Sequence, residues 1–226
     1  MRILSIGKII QHDKLNIDSI EASSLREHHD IEQYDYIIIN GGDGTIRRVL
    51  NQLHTLQALP IFILNPTGSF NVIAKIYRVP SIDSVLNRLA NSELPKTKEH
   101  HFSKLNDNIF LFSAGNMGDL QHIFLSETLR FGLLRHGMLK YILSIIFLFP
   151  VHVVMTPFML LSSKRFFIFT PASFIKKFGS FYGEVKDMTI DLENDYNVIE
   201  LDGDIVIIYE RYLHVRQVGI VSIVVQ

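Results

Sequence analysis

Three glycines surround one aspartate in Gly41-Gly42-Asp43-Gly44, and Thr45 follows at once. Glycine has no Cβ, so the backbone there can take φ > 0 and its N–H groups can approach another molecule closely. A helix N-terminus beside such a turn adds free N–H groups and a dipole, and together these make a phosphate cradle. A second polar turn, Asn65-Pro66-Thr67-Gly68-Ser69, is followed by Asn71. It offers the Thr67 and Ser69 hydroxyls, the Gly68 backbone and the Asn71 amide, groups suited to phosphate or ribose. A third cluster, Asp202-Gly203-Asp204, sets two carboxylates around a glycine and alone would read as a hairpin turn.

The first two turns are positioned by apolar runs. Ile37-Ile38-Ile39 and Ile61-Phe62-Ile63-Leu64 are uninterrupted, the mark of strands buried on both faces as in a parallel sheet covered by helices. The turns then fall at carboxyl ends of strands, where open α/β sheets bind ligands. After the first turn, Thr45 is the expected N-cap of a helix with an apolar face of Ile46, Val49, Leu50 and Leu53. After the second, a short helix is expected over 71–77, and Ser81 caps another to about Ala90. Alternating strand and helix is the grammar of a parallel sheet.

The opening residues, with Ile3 to Ile6 apolar, read as a first strand and lack the sustained apolar core of a signal peptide. Residues 15–29 are polar and weakly patterned, and 91–98 are the linker candidate. Beyond it the character turns β-rich. Residues 102–105 and 109–113 flank Asn106-Asp107-Asn108 as a hairpin, and strands are expected over 165–169, 188–192, 196–201, 205–209, 212–218 and 220–225. Helices are expected over 119–129 and 138–149, with a strand at 151–155. The expected architecture is therefore an α/β nucleotide-binding domain over 1–95 and a β-sandwich-like domain over 96–226, whose last strand can return to the first, with the site in the cleft between them.

Composition narrows the partners. The net charge is −1, so no global field draws in nucleic acid or an anionic membrane. With no cysteine there is no disulfide framework, thiol nucleophile or thiolate zinc site, and a cytoplasmic location fits. Residues 141–163 carry no charge, yet Pro150 and Pro157 break any single helix, so the stretch reads as buried helix and strand. Peripheral membrane contact and a homodimer are left open. His28-His29 and His100-His101 lie in polar segments and read as solvated surface, and an EF-hand over 191–202 fails because Tyr196 stands where its loop needs glycine.

Residues 34–53 with 60–75 resemble the diacylglycerol kinase catalytic domain family of lipid kinases, which includes sphingosine and ceramide kinases and is related to NAD kinases. Gly41-Gly42-Asp43-Gly44-Thr45 matches its GGDGT turn, and the stretch from Asn65 to Lys75 is similar to its PxGTxNDFAR segment. Further on, 112–118 resembles an SxGxxA turn, 136–141 a GxxxY helix start, and Asp202-Gly203-Asp204 stands where the family has DGE. The resemblance implies a diacylglycerol kinase/NAD kinase-like fold and transfer of the γ-phosphate of ATP, with Mg²⁺, to a lipid hydroxyl. It also implies roles. The nucleotide would lie on Gly41, Gly42, Asp43, Gly44, Thr45, Thr67, Gly68, Ser69 and Asn71. The proton acceptor falls on Asp204, with Asp43 as an alternative base or a contact to phosphate or metal, and Asp202 would support metal or orient the site.

The chain departs from the family pattern in lacking an NPxSG turn after the first strand. Arg47, Arg48, Val72 and Asp204 also stand where the family has other residues. Two rival readings follow: an NAD kinase-like small-molecule kinase, and a non-catalytic protein that keeps a nucleotide or lipid pocket.

Overall fold

Strand β1 (Ile3–Ile6) is buried along its whole length and pairs in parallel with β2 (Ile17–Ile20) on one side and β3 (Tyr36–Gly41) on the other. The computed structural model describes residues 1–27, 30–68, 71–116, 157–158, 161 and 164–226. These form two units, Met1–Ser103 with Val218–Gln226, and Lys104–Gln217.

In the first unit α1 (Asp43–Leu53) follows β3 and leads to β4 (Ile61–Pro66), which pairs in parallel with β3 from Tyr36↔Ile61 to Gly41↔Pro66. Successive strand residues point to opposite faces. Ile38 and Ile63 therefore meet Val85, Leu86 and Leu89 of a later helix, whereas Ile37, Ile39, Phe62 and Leu64 are buried on the other face. Helix α1 buries Ile46, Val49, Leu50 and Leu53, the face its 3.6-residue spacing dictates. Two short helices follow, α2 (Val72–Tyr77) and α3 (Ile82–Ala90), the latter capped by Ser81 Oγ accepting from Ser84 N–H at 3.4 Å. Next comes β5 (Thr97–Leu105), whose first residues lie in the stretch expected to be a linker.

The second unit adds β6 (Asn108–Phe110), β7 (Ser113–Gly115), β8 (Phe167–Phe169), β9 (Lys177–Phe178), β10 (Phe181–Tyr182), β11 (Met188–Asp191), β12 (Asn197–Leu201) and β13 (Asp204–Ile208). Six of these form one sheet in the order β13-β12-β7-β8-β10-β9. A core of Phe110, Ala114, Phe166, Ile168, Ile199, Leu201, Leu213 and Val215 fills the unit. The final strand, β14 (Tyr212–Val224), begins here, antiparallel to β11, and its end returns to the first unit, where Ile223 lies parallel to Phe62.

Several expectations are corrected, each for a physical reason. The two strands read over 212–218 and 220–225 are one strand of 13 residues. Gly219 is no turn: a Cβ there would lie 2.4 Å from Phe102 Cζ, so the glycine seats an aromatic ring. The run 109–113, read as one strand, divides into β6 and β7 because the Asp202 carboxylate takes the intervening backbone N–H groups. The polar stretch after residue 15 contains β2 and a 3₁₀ turn, Ala22–Glu27. His100, read as solvated, is buried, with Nδ1 2.9 Å from Tyr77 Oη, and burial raises the Tyr77 hydroxyl above its ordinary value. The helices expected over 119–129 and 138–149 and the strand at 151–155 lie outside the described residues. Among the described residues no helix is long and apolar enough to cross a membrane.

The ends of β11 and β14 are joined by a forked pair, Arg211 Nε to Asp191 Oδ1 at 2.8 Å and Nη2 to Oδ2 at 2.7 Å. The Arg211 hydrogen bonds, with the Glu193 N–H, hold the Asp191 carboxyl down to about 2. A carboxyl depressed in the folded state stabilises above its ordinary value, and that contribution is lost as pH falls toward 2. Arg211→Gln is expected to raise the Asp191 titration toward the ordinary carboxylate range, read by ¹³C carboxyl NMR. An unchanged midpoint would contradict the assignment.

Candidate functional site

Strands β3 and β4 end side by side, and two asparagines pin the ends level. Asn65 Nδ2 donates to Asn40 Oδ1 at 2.7 Å, while Asn40 Nδ2 donates to Ser5 Oγ at 3.0 Å and to the Ile6 carbonyl at 2.9 Å. Three parallel strands thus share one polar latch at their carboxyl edge. The sequence reading missed it, though an asparagine closing each of two apolar runs was its visible signal.

Gly42 leaves β3 extended, at φ −97° and ψ −169°, and its carbonyl accepts from Thr45 N–H at 2.9 Å and Ile46 N–H at 3.2 Å. Gly42 is therefore the N-cap of α1, and Thr45, expected in that role, lies inside the first turn. The N–H groups of Asp43 and Gly44 have no acceptor within the helix, as in any first turn. None of Gly41, Gly42 and Gly44 has positive φ, which corrects the expectation of left-handed backbone. Proximity is what demands glycine. A Cβ on Gly68 would stand 2.8 Å from Gly42 Cα, and one on Gly41 would stand 2.3 Å from Thr45 Oγ1. The two turns touch backbone to backbone.

Asn71 and Asp43 fix that contact. Asn71 sits in the left-handed region at φ 48°; its Nδ2 donates to the Gly68 carbonyl at 2.6 Å, and its Oδ1 accepts from Gly68 N–H at 3.1 Å. Its side chain, turned back on Gly68, does not cap α2. Asp43 caps it instead from the neighbouring turn, with Oδ2 accepting from Val72 N–H at 2.7 Å and Oδ1 from Ile73 N–H at 3.0 Å. Val72, a departure from the family residue, takes part only through its backbone. Gly68 N–H and the Asn71 amide, expected to meet phosphate or ribose, thus engage each other. Facing solvent at this junction is the Thr67 side chain, while its N–H donates to the Gly41 carbonyl at 3.3 Å. Arg48 Nη2 lies 3.3 Å from Thr45 Oγ1, a cation beside the first turn of α1. Ser69 lies outside the described residues.

In the second unit Asp202 is 6% exposed, at φ 51°. Its Oδ2 accepts from Leu111 N–H at 2.6 Å, and its Oδ1 from Phe112 and Ser113 N–H at 2.9 and 3.0 Å. Buried Glu200 accepts from Ser113 Oγ at 3.1 Å and from Gly203 N–H. Two carboxylates therefore brace the turn that ends at Asp204, which is half-buried at the start of β13 opposite Leu201. The sequence reading missed Glu200; a lone glutamate in an apolar strand was the available signal.

The contact of Gly42 with Gly68 leaves no room for a side chain on either, and beside it the first-turn N–H groups of α1 are of the kind that favours an anion. Asp202 does not fit as a ligand for Mg²⁺, since both its oxygens are held by backbone donors and it is buried. Among the described residues no group of three or more His, Asp or Glu gathers as a metal site.

Residues 9–99 match the family model of the diacylglycerol kinase catalytic domain. A presumptive lipid kinase of Streptococcus pneumoniae serotype 4 is 27% identical over 128 residues, which are 55% of this chain and 42% of that protein. The matched stretch thus spans less than half of that relative. Among solved structures, a presumptive diacylglycerol kinase from Bacillus anthracis covers 100% of this chain and 96% of its own at a TM-score of 0.57 and 15% identity, a likeness of fold. The stretch 9–99 is thus similar to the diacylglycerol kinase catalytic domain, and the chain has the fold of that structure: a parallel α/β sheet with a second, β-rich part.

Removing the Asp43 carboxylate leaves two N–H groups of α2 without their acceptor, a loss of about 1–3 kcal/mol for buried donors. Asp43→Ala is expected to lower stability by that order in urea unfolding, with Asp43→Asn intermediate because one acceptor remains. Wild-type stability in both variants would show that the clip is idle.

Proposed function

We propose that the protein is an ATP-dependent lipid kinase that transfers the γ-phosphate to a lipid hydroxyl. The observation that carries this reading is the backbone contact of Gly42 with Gly68, clipped by Asp43 and Asn71. It joins the two turns into one continuous run of first-turn N–H groups and Thr67. Gly41 to Thr45 would hold the nucleotide phosphates, with Arg48 adding positive charge beside them. Gly68 and Asn71 shape this surface. Mg²⁺ arrives in this chemistry bound to the nucleotide's own phosphates.

Phosphoryl transfer also needs a carboxylate to take the hydroxyl proton. Asp43 and Asp202 each have both oxygens on backbone N–H groups, and Glu200 accepts from Ser113 and Gly203. Asp204, at the head of a braced turn and at the position of the family glutamate, is the base we assign. The same observation favours a second reading, a non-catalytic relative that binds nucleotide or lipid. Two acids of the motifs serve the fold, and aspartate at 204 reaches less far than the family glutamate.

Incubating the protein with ATP and Mg²⁺ against diacylglycerol, sphingoid bases, ceramide and NAD separates the readings. Phosphorylation of a lipid is expected. Asp204→Asn is then expected to cut turnover by ~10²–10⁴ with nucleotide affinity nearly unchanged, and Asp204→Glu to keep or raise it. Phosphorylation of NAD alone would mean a small-molecule kinase. Nucleotide binding with no phosphorylated product would mean the non-catalytic relative.

A further inference from the structure

Residues 164–183 contain four basic side chains, no acidic one and seven aromatic rings, in a chain whose net charge is −1. The turn that leads from β8 to β9 in this segment presents Phe174 at 84% and Phe178 at 66% exposure, with Ile175 between them at 37%. Lys176 and Lys177 lie between the two phenylalanines and are exposed, and neither forms an ion pair among the described residues. Soluble surfaces scatter single apolar residues, but large rings and lysines concentrated on one turn mark an interaction site.

The turn is built, not slack. Ile175 N–H donates to the Ala172 carbonyl at 2.9 Å and Gly183 N–H to the Lys176 carbonyl at 3.2 Å. A Cβ on Gly183 would lie 2.1 Å from the Ile175 carbonyl oxygen, so the turn rests directly on that glycine. Phe178 is paired with Phe181 across β9 and β10, and the Lys177 ammonium sits 5.1 Å from the Tyr182 ring centroid. The exposed rings are thereby held outward at the edge of the sheet, where β9 is the terminal strand.

We infer that this turn is a membrane-docking element, with Phe174 and Phe178 entering the acyl boundary and Lys176 and Lys177 lying on anionic headgroups. Charge complementarity selects the occupant. A lipid face offers an apolar layer beneath a plane of negative charge, the order in which rings and ammonium groups are presented here. A tip of two exposed rings also suits insertion better than a groove-filling protein contact. The inference is independent of phosphoryl transfer: vesicle binding needs no nucleotide, so its failure would leave the kinase reading standing.

The test is sedimentation of the full chain with phosphatidylcholine vesicles, with and without phosphatidylglycerol, and without nucleotide. Binding is expected to the anionic vesicles and to weaken with added salt. Phe174→Ser with Phe178→Ser, and separately Lys176→Gln with Lys177→Gln, should each reduce it by about tenfold or more, with unchanged circular dichroism. The chain has no tryptophan, so Phe174→Trp gives a single reporter whose emission should shift to the blue on anionic vesicles. No sedimentation with anionic vesicles, wild-type binding by the double serine variant, or an unmoved emission from the Phe174→Trp variant would each overturn the inference. The first would leave a protein as the occupant of the turn.

Discussion

The Asp43 carboxylate is the constraint from which the first unit's candidate site follows. It begins α1, yet both its oxygens face the next helix and accept the N–H groups of Val72 and Ile73. Asn71, of a type that ordinarily caps its own helix, is thereby free to turn back and clamp Gly68. Gly68 in turn lies against Gly42 with no room for a side-chain carbon. One carboxylate, one amide and two absent Cβ atoms thus weld two turns that are far apart in sequence into a single polar edge. The Ser5, Asn40 and Asn65 latch holds the strands beneath it level.

The second unit repeats the device. Asp202 gathers three consecutive backbone N–H groups and so sets where β6 stops and β7 starts, while Glu200 ties Ser113 and Gly203. The acid residues conspicuous in the motifs organise backbone first. A buried carboxylate satisfied by two or three N–H donors is a rigid strut, because each donor would lose its hydrogen bond on release. Asp204 follows directly on the turn that these two struts brace, at the start of β13.

The parallel sheet was legible because its strands are buried on both faces and carry uninterrupted apolar runs, and α1 and α3 because their apolar spacing has one period. The glycine turns were also legible, but the reason for the glycines was not: sequence suggests freedom of φ, whereas the structure requires closeness of Gly42 to Gly68, a long-range fact. Gly219 misled in the same way, since a ring from Phe102 and a chain reversal both call for glycine. The break between β6 and β7 was hidden because its cause, Asp202, lies 90 residues beyond Phe112. Short β9 and β10 have too few residues to show any period.

The central claim is that nucleotide phosphates lie on the welded edge formed by Gly42 to Thr45 and Thr67. Amide-resolved NMR of the wild-type chain titrated with a non-hydrolysable ATP analogue tests it directly. The account requires the largest amide shifts at Gly42, Asp43, Gly44, Thr45 and Thr67, saturating together with one dissociation constant. Saturable binding with those amides unmoved and the shifts centred elsewhere in the chain would contradict it.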